Sequence, residues 1–404
     1  MFERITSLYH QNNCNCKDCN NTIIEAIDID NWVKVMERIA KDTYEGKLKK
    51  GQLDAVHIKL TYEELLNGAS KGNKDWLKIN KNTGMPDTTA LRMQKNLFWF
   101  SGAKDYVMLK ELNDNLVKDG KIQSWNAFKR KALAINKKYN VNYLRQDYQT
   151  AKQSALQAQN WQEYVRNSEK YKNLKYRTQG DSKVREQHAK LNNIIKPVND
   201  AFWDTNFPPN GYGPCRCYTV QTNDTATLDQ NLPTITEKDT PKEFRNNVGK
   251  TGQTFKESTG FGGKPHPFIA IAKEEAKEKE VNRLFFKLEQ AKAIKKLTVK
   301  QVKHEKLDNK IQFNTKSIKH AYNQPHVNYA LKNQSIFYID TLLPKSEYIG
   351  FSTFKNDSYI IGSHIFKIDI DNVESYIIVR ENKQGEMIFY AITDNVKVTL
   401  GAKK

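Results

Sequence analysis

The clearest helical pattern lies in the middle of the chain. Between residues 143 and 165, small and apolar side chains recur at steps of three and four residues, which places them on one face of an α-helix. These residues are Ala151, Ala155, Ala158, Trp161 and Val165. We expect this face to be buried. A second segment, 270–296, is rich in Lys and Glu and also predicts a helix.

Near the C-terminus the pattern changes to a period of two. Apolar residues at 366, 368 and 370 alternate with charged residues at 367, 369 and 371, which is typical of a half-buried strand. Apolar runs at 376–379 and 387–392 follow, and residues 382–385 between them predict a hairpin loop. Three antiparallel strands preceded by helices predict a C-terminal α+β domain.

These elements divide the chain into five predicted segments. They are a Cys-containing N-terminal segment (1–30), a helical region (31–142), a middle domain with a small β element (143–222), a linker (223–280) and the C-terminal domain (281–404). The linker is rich in Thr, Asn, Gly and Lys, so we expect it to cross the surface with little regular structure. The predicted fold class is α+β, with helices packed on an antiparallel sheet in the C-terminal domain.

The chain is strongly basic. It has 65 Lys and Arg against 46 Asp and Glu, a formal charge of +19. This excess favours a polyanionic partner such as DNA or RNA, although an acidic protein surface would satisfy the same charge. No apolar run approaches the roughly 18 residues of a membrane span, so we expect synthesis in a cytoplasm and no membrane partner.

The five cysteines fall into two groups, unlike the scattered framework of a secreted domain. Cys14, Cys16 and Cys19 form one group, and Cys215 and Cys217 form the other. In an extended segment Cys215 and Cys217 point to the same side, where two thiolates could share a zinc ion completed by His188 or by the N-terminal cysteines. The other interpretation is that all three are buried packing residues. A structural zinc is the one cofactor that the sequence indicates.

Short motifs between residues 176 and 217 identify the middle domain. They are Tyr176-Arg177-Thr178, Asp181, Arg185, His188, Phe202-Trp203, Pro208-Pro209-Asn210-Gly211 and Cys215-Arg216-Cys217. In this order and spacing they resemble the phage Mu F-like minor head proteins. An earlier helix with Arg145-Gln146-Asp147 and Thr150 is similar to that family's Arg-Thr-Glu helix, with Gln146 and Asp147 departing from the usual pair.

This resemblance implies a place in a phage particle. Members of the family are expected in the virion head, where they contact the portal protein, other head proteins and packaged DNA. Some pass into the host cell with the genome. The resemblance covers residues 143–222 and extends to Phe244–Gly249 and His266-Pro267-Phe268.

The C-terminal domain carries a second motif, Phe313-Asn314-Thr315-Lys316-Ser317-Ile318-Lys319-His320. Thr315 or Ser317 is suited to cap a helix that Pro325 would end. This helix, followed by the predicted strands, resembles the phage branch of the barnase, EndoU, colicin and RelE-like nucleases. That family cleaves RNA without a metal, and the resemblance implies roles for Lys319 and His320 on the helix, for Arg380 and for Thr393 at the end of a strand.

The residue types suit that reaction. Cleavage of RNA by its own 2′-hydroxyl needs a base, an acid and cations for the charged phosphorane. His320 titrates near neutrality, Lys319 and Arg380 are cations, and the Thr393 hydroxyl can donate to a phosphoryl oxygen. Residues 281–404 contain 18 Lys and 2 Arg against 12 Asp and Glu, a formal charge of +8 that suits RNA. A structural His320 is the alternative, with His326 and His364 as competing histidines.

Together these features predict a phage minor head protein fused to an RNA-cleaving toxin domain, similar to polymorphic toxins with a Mu F-type domain. Such a toxin implies an acidic immunity protein as a partner. The competing hypothesis is a purely structural minor head protein whose basic C-terminal region holds packaged DNA or the portal.

Overall fold

The computed structural model describes Ile5, Tyr9 and residues 28–182, 184–211, 215–237, 239–354, 357–400 and 402–403. The chain divides into two compact units. Unit 1 consists of Met1–Trp76 and Asn96–Val281, and unit 2 consists of Leu77–Lys95 and Asn282–Lys404. None of the helices in the described ranges combines the length and the apolar character needed to cross a bilayer.

Five long helices build most of unit 1. They are α1 (Ile29–Tyr44), α2 (Ala55–Gly72), α3 (Thr88–Asp114, which begins in unit 2), α4 (Trp125–Asn136) and α5 (Leu144–Arg166). Polar caps start several of them: the Asp54 carboxylate accepts from the His57 amide at the start of α2 (2.8 Å), and Ser124 caps α4. The helix predicted over 143–165 is confirmed as α5, which follows a short π-helical stretch, Lys137–Tyr143.

Helices α2 and α5 approach each other closely because α2 carries glycine at the contact. A Cβ at Gly72 would lie 1.9 Å from the Lys152 carbonyl oxygen, and one at Gly68 would lie 2.7 Å from the Tyr148 carbonyl oxygen. Only glycine leaves room for two helix backbones at this separation.

A small antiparallel sheet covers the C-terminal end of α5. Its strands are β3 (Asn173–Arg177), β4 (Ile195–Pro197) and β5 (Tyr218–Thr222), with β3 in the centre. A separate two-stranded ribbon is formed by β1 (Val117–Lys118) and β2 (Lys121–Ile122). Short helices α6 (Glu186–Ala189) and α7 (Phe202–Asn206) connect the sheet strands. Trp161, Tyr176 and Trp203 fill the core beneath them.

Residues 223–280 pack into unit 1 and contain two helices, α8 (Val248–Thr251) and α9 (Pro267–Glu274). Phe255 stacks on Phe100 with ring centroids 3.5 Å apart, and its backbone N–H and C=O both bond to the Asn96 side chain. The structure thus differs from a surface linker here. In this segment Phe244, Phe255 and Phe268 are buried singly and Phe261 is 43% exposed, which leaves no periodic pattern in the sequence.

Unit 2 is an α+β unit, and the predicted α+β fold class is confirmed. Its helices are α10 (Glu278–Leu297, which begins in unit 1), α11 (Thr315–Asn323), α12 (Tyr329–Ile336) and α13 (Ile339–Leu342). Its strands are β6 (Gln301–Val302), β7 (Ile311–Gln312), β8 (Glu347–Thr353), β9 (Ile360–Asp369), β10 (Glu374–Asn382) and β11 (Met387–Thr393).

These strands form one six-stranded sheet in the order β6-β7-β11-β10-β9-β8. All neighbouring pairs are antiparallel except β7 with β11, which is parallel. The strand predicted from alternation at 366–371 is present as β9, and those predicted from apolar runs at 376–379 and 387–392 are present as β10 and β11. The loop predicted at 382–385 joins β10 to β11. Helices cover one face of the sheet, where Ile318, Phe366 and Phe389 belong to a single apolar core.

The segment Leu77–Lys95 belongs to unit 2, whereas the sequence places it within the predicted helical region 31–142. Met85 and Leu91 lie in the apolar core of unit 2. The Gln334 amide donates to the Leu91 carbonyl (2.8 Å) and to the Gln94 side chain (3.0 Å). The core of unit 2 therefore includes residues more than 200 positions before β6, the first strand of its sheet, and local sequence patterns do not predict such a contact.

Candidate functional site

Helix α11 presents the two basic residues of the C-terminal motif on its outer side. Its apolar residues Ile318 and Ala321 are fully buried against the core of unit 2. Lys319 is therefore exposed and His320 half-buried. The helix ends at Asn323, two residues before Pro325, as expected.

The cap of α11 differs from the expectation. Asn314 is the N-cap, and its side chain accepts a hydrogen bond from the Ser317 amide (2.8 Å). The expected caps Thr315 and Ser317 both lie inside the helix, so that prediction was wrong. Asn is as good a cap as Ser, and Asn314 has the extended backbone that the position requires.

The ring of His320 lies against Tyr390 of strand β11. The ring centroids are 4.2 Å apart and the planes are tilted by 32°. Tyr390 sits at a β-bulge, because Ile378 pairs with Ala391 while Val379 pairs with Phe389. A bulge leaves the extra residue unpaired and re-aims its side chain, which brings Tyr390 to the helix.

Arg380 meets the same ring. It belongs to β10, and its guanidinium carbon lies 3.3 Å from the Tyr390 ring centroid. A guanidinium stacked on an aromatic face is held by cation–π attraction and keeps its charge. Tyr390 therefore joins His320 and Arg380 into one cluster, called here the Tyr390 cluster.

The environment of His320 favours its neutral form. Burial lowers the pKa of His320 below its usual value, and the positive charge of Arg380 lowers it further. When the ring proton is on Nδ1, the Gln324 side-chain amide, 2.9 Å away, occupies His320 Nε2, and a substrate hydroxyl would have to displace this amide before Nε2 could act as a base. A neutral imidazole beside a fixed cation can remove a proton from a hydroxyl group near a phosphate.

The remaining predicted residues lie near this cluster. Lys319 precedes His320 on α11 and is exposed. Thr393 ends strand β11, three residues after Tyr390, and its hydroxyl accepts from the Asn395 amide (3.2 Å). In the structure, His320 and Arg380 both contact the Tyr390 ring. The structure thus adds Tyr390, which the sequence analysis missed; an aromatic residue that breaks the alternation of a strand is the signal that could have found it.

The two competing histidines have other environments. His326 is buried, with Nε2 2.9 Å from the Ser375 hydroxyl and Nδ1 accepting from the Asn328 amide (2.9 Å). His364 lies on β9, with its Nε2 2.9 Å from a Glu381 carboxylate oxygen and its Nδ1 3.1 Å from the Tyr348 hydroxyl. Both rings use both nitrogens within the protein.

In unit 1, His188, Cys215 and Cys217 come together in the core. His188 lies on α6, and the cysteines lie on the segment that leads into β5. His188 Nδ1 is 3.5 Å from Cys217 Sγ and 3.9 Å from Cys215 Sγ, and all three side chains are buried. Both thiols are free. Cys14, Cys16 and Cys19, the other predicted ligands, lie outside the described residues.

The two thiols influence each other strongly. A hydrogen bond from the Cys217 thiol, aided by the nearby His188, lowers the pKa of Cys215. The same hydrogen bond and burial raise the pKa of Cys217. Between the cysteines, Arg216 points away and forms a two-point ion pair with Asp181, with both oxygens 2.6 Å from a guanidinium nitrogen.

A second charged group is enclosed in unit 1. The Asp147 carboxylate accepts from the Lys104 ammonium and from the Tyr9 hydroxyl, each at 2.6 Å. Lys104 and Asp147 are both 0% exposed. Burial raises the pKa of Asp147 and lowers that of Lys104, opposed in each case by the partner's charge. Asp147, which departs from the usual Arg-Thr-Glu pattern of that helix, thus forms an internal ion pair with Lys104.

Two segments of the chain are similar to known protein families. Residues 108–220 match the family described as Phage Mu protein F like protein, and residues 287–390 match Large polyvalent protein-associated domain 3. The putative capsid assembly protein F of Escherichia phage Mu is 31% identical over 70 residues, which are 17% of this chain and 16% of that protein. No solved structure matches the chain.

The chain therefore contains a phage Mu F-like domain within unit 1 and a second recognised domain within unit 2. The resemblance drawn from the Cys215-Arg216-Cys217 motif is confirmed for the Mu F-like part. The matched stretch spans about a sixth of the curated relative's length. The resemblance of unit 2 to the nucleases remains a prediction.

Proposed function

From the Mu F-like domain we infer that this protein takes part in phage head assembly and resides in the virion head. The supporting observation is the match of residues 108–220, which lie wholly in unit 1. The related protein of phage Mu is described as a putative capsid assembly protein. Under this proposal, unit 1 contacts other head proteins, the portal protein among them, and the net charge of +19 favours contact with packaged DNA.

We further propose that unit 2 is a metal-independent RNA-cleaving toxin domain that acts after delivery into a host cell. The observation that supports it best is the Tyr390 cluster, in which a half-buried histidine and an arginine contact one aromatic ring. The formal charge of +8 on residues 281–404 suits an RNA substrate, and an acidic immunity protein would be the matching inhibitor.

In the proposed reaction, neutral His320 removes the proton of a ribose 2′-hydroxyl. The freed oxygen attacks the adjacent phosphorus, and the charged phosphorane that forms is stabilised by Arg380 and by the Thr393 hydroxyl. The bond from phosphorus to the 5′-oxygen then breaks, and that oxygen takes a proton from the exposed Lys319 ammonium. The products are a 2′,3′-cyclic phosphate and a 5′-hydroxyl end.

The test uses the full-length protein, because unit 2 includes the distant segment Leu77–Lys95. The protein is incubated with end-labelled RNA in the presence of EDTA, and the new ends are identified by their resistance or sensitivity to phosphatase and kinase. We expect cleavage that leaves cyclic phosphate ends. Induced expression of the same protein in bacteria should arrest growth.

Two matched substitutions on α11 serve as variant and control. Lys319→Ala should slow cleavage, whereas Lys316→Ala removes an equally exposed lysine one turn earlier and should have little effect. RNA that stays intact with the parent protein would contradict the nuclease proposal and favour the alternative, a structural head protein whose basic second unit holds DNA or the portal.

A further inference from the structure

Unit 1 brings together three side chains that are good ligands for zinc, although they are 27 and 29 positions apart along the chain. We propose that His188, Cys215 and Cys217 bind one Zn²⁺ ion. This site is independent of the RNA-cleaving activity proposed for unit 2, because no residue is shared between them.

The spacing of the ligand atoms fits a tetrahedral ion. With Zn–S bonds of about 2.3 Å and Zn–N bonds of about 2.0–2.1 Å, a nitrogen and a sulfur on one tetrahedral zinc lie about 3.6 Å apart. The distances from His188 Nδ1 to the two sulfurs are 3.5 and 3.9 Å, and all three ligand atoms lie within 4.8 Å of one another. An ion can therefore be accommodated with side-chain adjustments of a few tenths of an ångström.

The local chain geometry supports the same set of ligands. Alternation along the extended segment turns Cys215 and Cys217 to one side, while Arg216 turns outward to Asp181. His188 is presented by α6 from the connection between β3 and β4. Two separate pieces of backbone thus meet at one buried point and supply the three ligands.

The surroundings also suit thiolate ligands. Zinc binds cysteine as thiolate, so the two protons must leave when the ion enters. Arg185 precedes His188 by three residues and places a positive charge in the same part of the fold. Its guanidinium packs over Gly211, where a Cβ would lie 2.7 Å from it. The ion would tie α6 to the start of β5 and so stabilise the Mu F-like domain.

With three protein ligands, the fourth position of the ion is open to a water molecule.

The experiment is a metal count on the full-length protein. The reduced protein is loaded with zinc sulfate, freed of excess metal by gel filtration and analysed by mass spectrometry for metal and by absorbance for protein. We expect about one zinc per chain. Cys215→Ser, Cys217→Ser and His188→Ala should each bring the count close to zero.

The matched control is Asp181→Asn, which removes the ion-pair partner of Arg216 in the same part of the fold but leaves all three ligands. It should retain full zinc. Because a ligand variant could fail to fold, cobalt replaces zinc in the parent protein in a second measurement. Tetrahedral cobalt bound to thiolates gives a charge-transfer absorption that water or carboxylate ligands do not give.

Two results would overturn the proposal. One is less than about half a zinc per chain after loading, together with no thiolate-to-cobalt absorption. The other is full zinc content in the Cys215→Ser/Cys217→Ser double variant. Either result would mean that the three side chains are only a hydrogen-bonded group in the core of unit 1.

Discussion

The two units differ in how their buried charged side chains are paired, since buried Lys332 of unit 2 donates to backbone carbonyl oxygens and not to a carboxylate. In unit 1, the Lys104 ammonium lies 2.6 Å from the Asp147 carboxylate, and His57 lies 2.9 Å from Asp105, with all four side chains 0% exposed. In unit 2, the apolar core lies under the sheet, and the half-buried side chains of the Tyr390 cluster lie where α11 meets the margin of that core.

This difference separates two kinds of role. Removing one partner of an enclosed pair of charges destabilises the fold, and a ligand cannot reach such a pair without unfolding the unit. A half-buried histidine beside a stacked arginine remains open to a ligand from one side. We therefore expect substitutions in the buried pairs of unit 1 to change stability, and substitutions in the Tyr390 cluster to change activity.

The largest effect is expected for Lys104→Met. It leaves the Asp147 charge buried without its cation, which should lower the free energy of unfolding of unit 1 by about 3–5 kcal/mol. All six tryptophans belong to unit 1, so tryptophan fluorescence in a urea titration follows the unfolding of this unit. The control is Lys110→Met, which removes an ion pair with Glu275 at the surface and should hardly move the midpoint. Equal shifts of the urea midpoint for Lys104→Met and Lys110→Met would contradict the expectation that the buried ion pair matters more than the surface one.

A smaller effect is expected for Gly84→Ala in unit 2. Gly84 has φ +77°, and a Cβ there would lie 2.2 Å from the Thr341 carbonyl oxygen. The strain should cost about 1–3 kcal/mol and raise hydrogen exchange in β9–β11. Gly120→Ala is the matched control, because Gly120 has φ +75° but open space around it. If the two substitutions lower the free energy of unfolding by the same amount, the segment Leu77–Lys95 is not closely packed within unit 2.

The sequence predicted local elements better than it predicted which elements belong together. Helix α5 follows from a period of about 3.6, although Val165 of its expected buried face is 47% exposed. Strand β9 follows from a period of two, and β10 and β11 follow from apolar runs. The membership of Leu77–Lys95 in unit 2 depends on contacts such as Leu91 with Gln334, which are hundreds of residues apart and leave no local pattern.

The candidate sites show the same limit. The motif that contains His320 predicted a helix carrying that residue, and alternation predicted that Cys215 and Cys217 share a side. Tyr390 was missed because its contact with Arg380 depends on a bulge, which shifts one residue against the alternation. Lys104 was missed as the partner of Asp147 because a buried lysine within a helix has no sequence signature of its own.

A dependence on pH should also separate the units. His266 in unit 1 is fully buried, and burial, followed by the charge of Lys104, lowers its pKa well below the usual value. Above the unfolded pKa of about 6.5 both states are neutral, but below it the unfolded chain binds a proton that the folded chain does not. Stability should therefore fall on acidification from about pH 6.5, by up to about 1.4 kcal/mol per pH unit.

His266→Asn tests this dependence. Asn retains a side chain that can accept from the Phe268 amide, as His266 Nδ1 does at 3.1 Å. The variant should show a flatter decline of the tryptophan-monitored midpoint between pH 6.5 and pH 5. An unchanged slope would mean that other groups govern the acid stability of unit 1.

The smallest predicted effect is a shift in the pH dependence of RNA cleavage. The charge of Arg380 lowers the pKa of His320, so Arg380→Gln should let His320 bind a proton at higher pH. As a general base, His320 works only when neutral, and the acidic limb of the pH–rate profile should move to higher pH along with the overall loss of rate. An acidic limb that stays at the same pH in Arg380→Gln would mean that Arg380 does not affect the pKa of His320.

The most direct test of the account is the ratio of RNA-cleavage rates between the parent protein and His320→Ala, measured on full-length protein in EDTA. General acid–base catalysis contributes about 100- to 10,000-fold, so we expect the variant to be slower by at least about 100-fold. Its tryptophan-monitored stability should be unchanged, because His320 belongs to unit 2. A ratio near one, with active parent protein, would show that the Tyr390 cluster does not carry the chemistry.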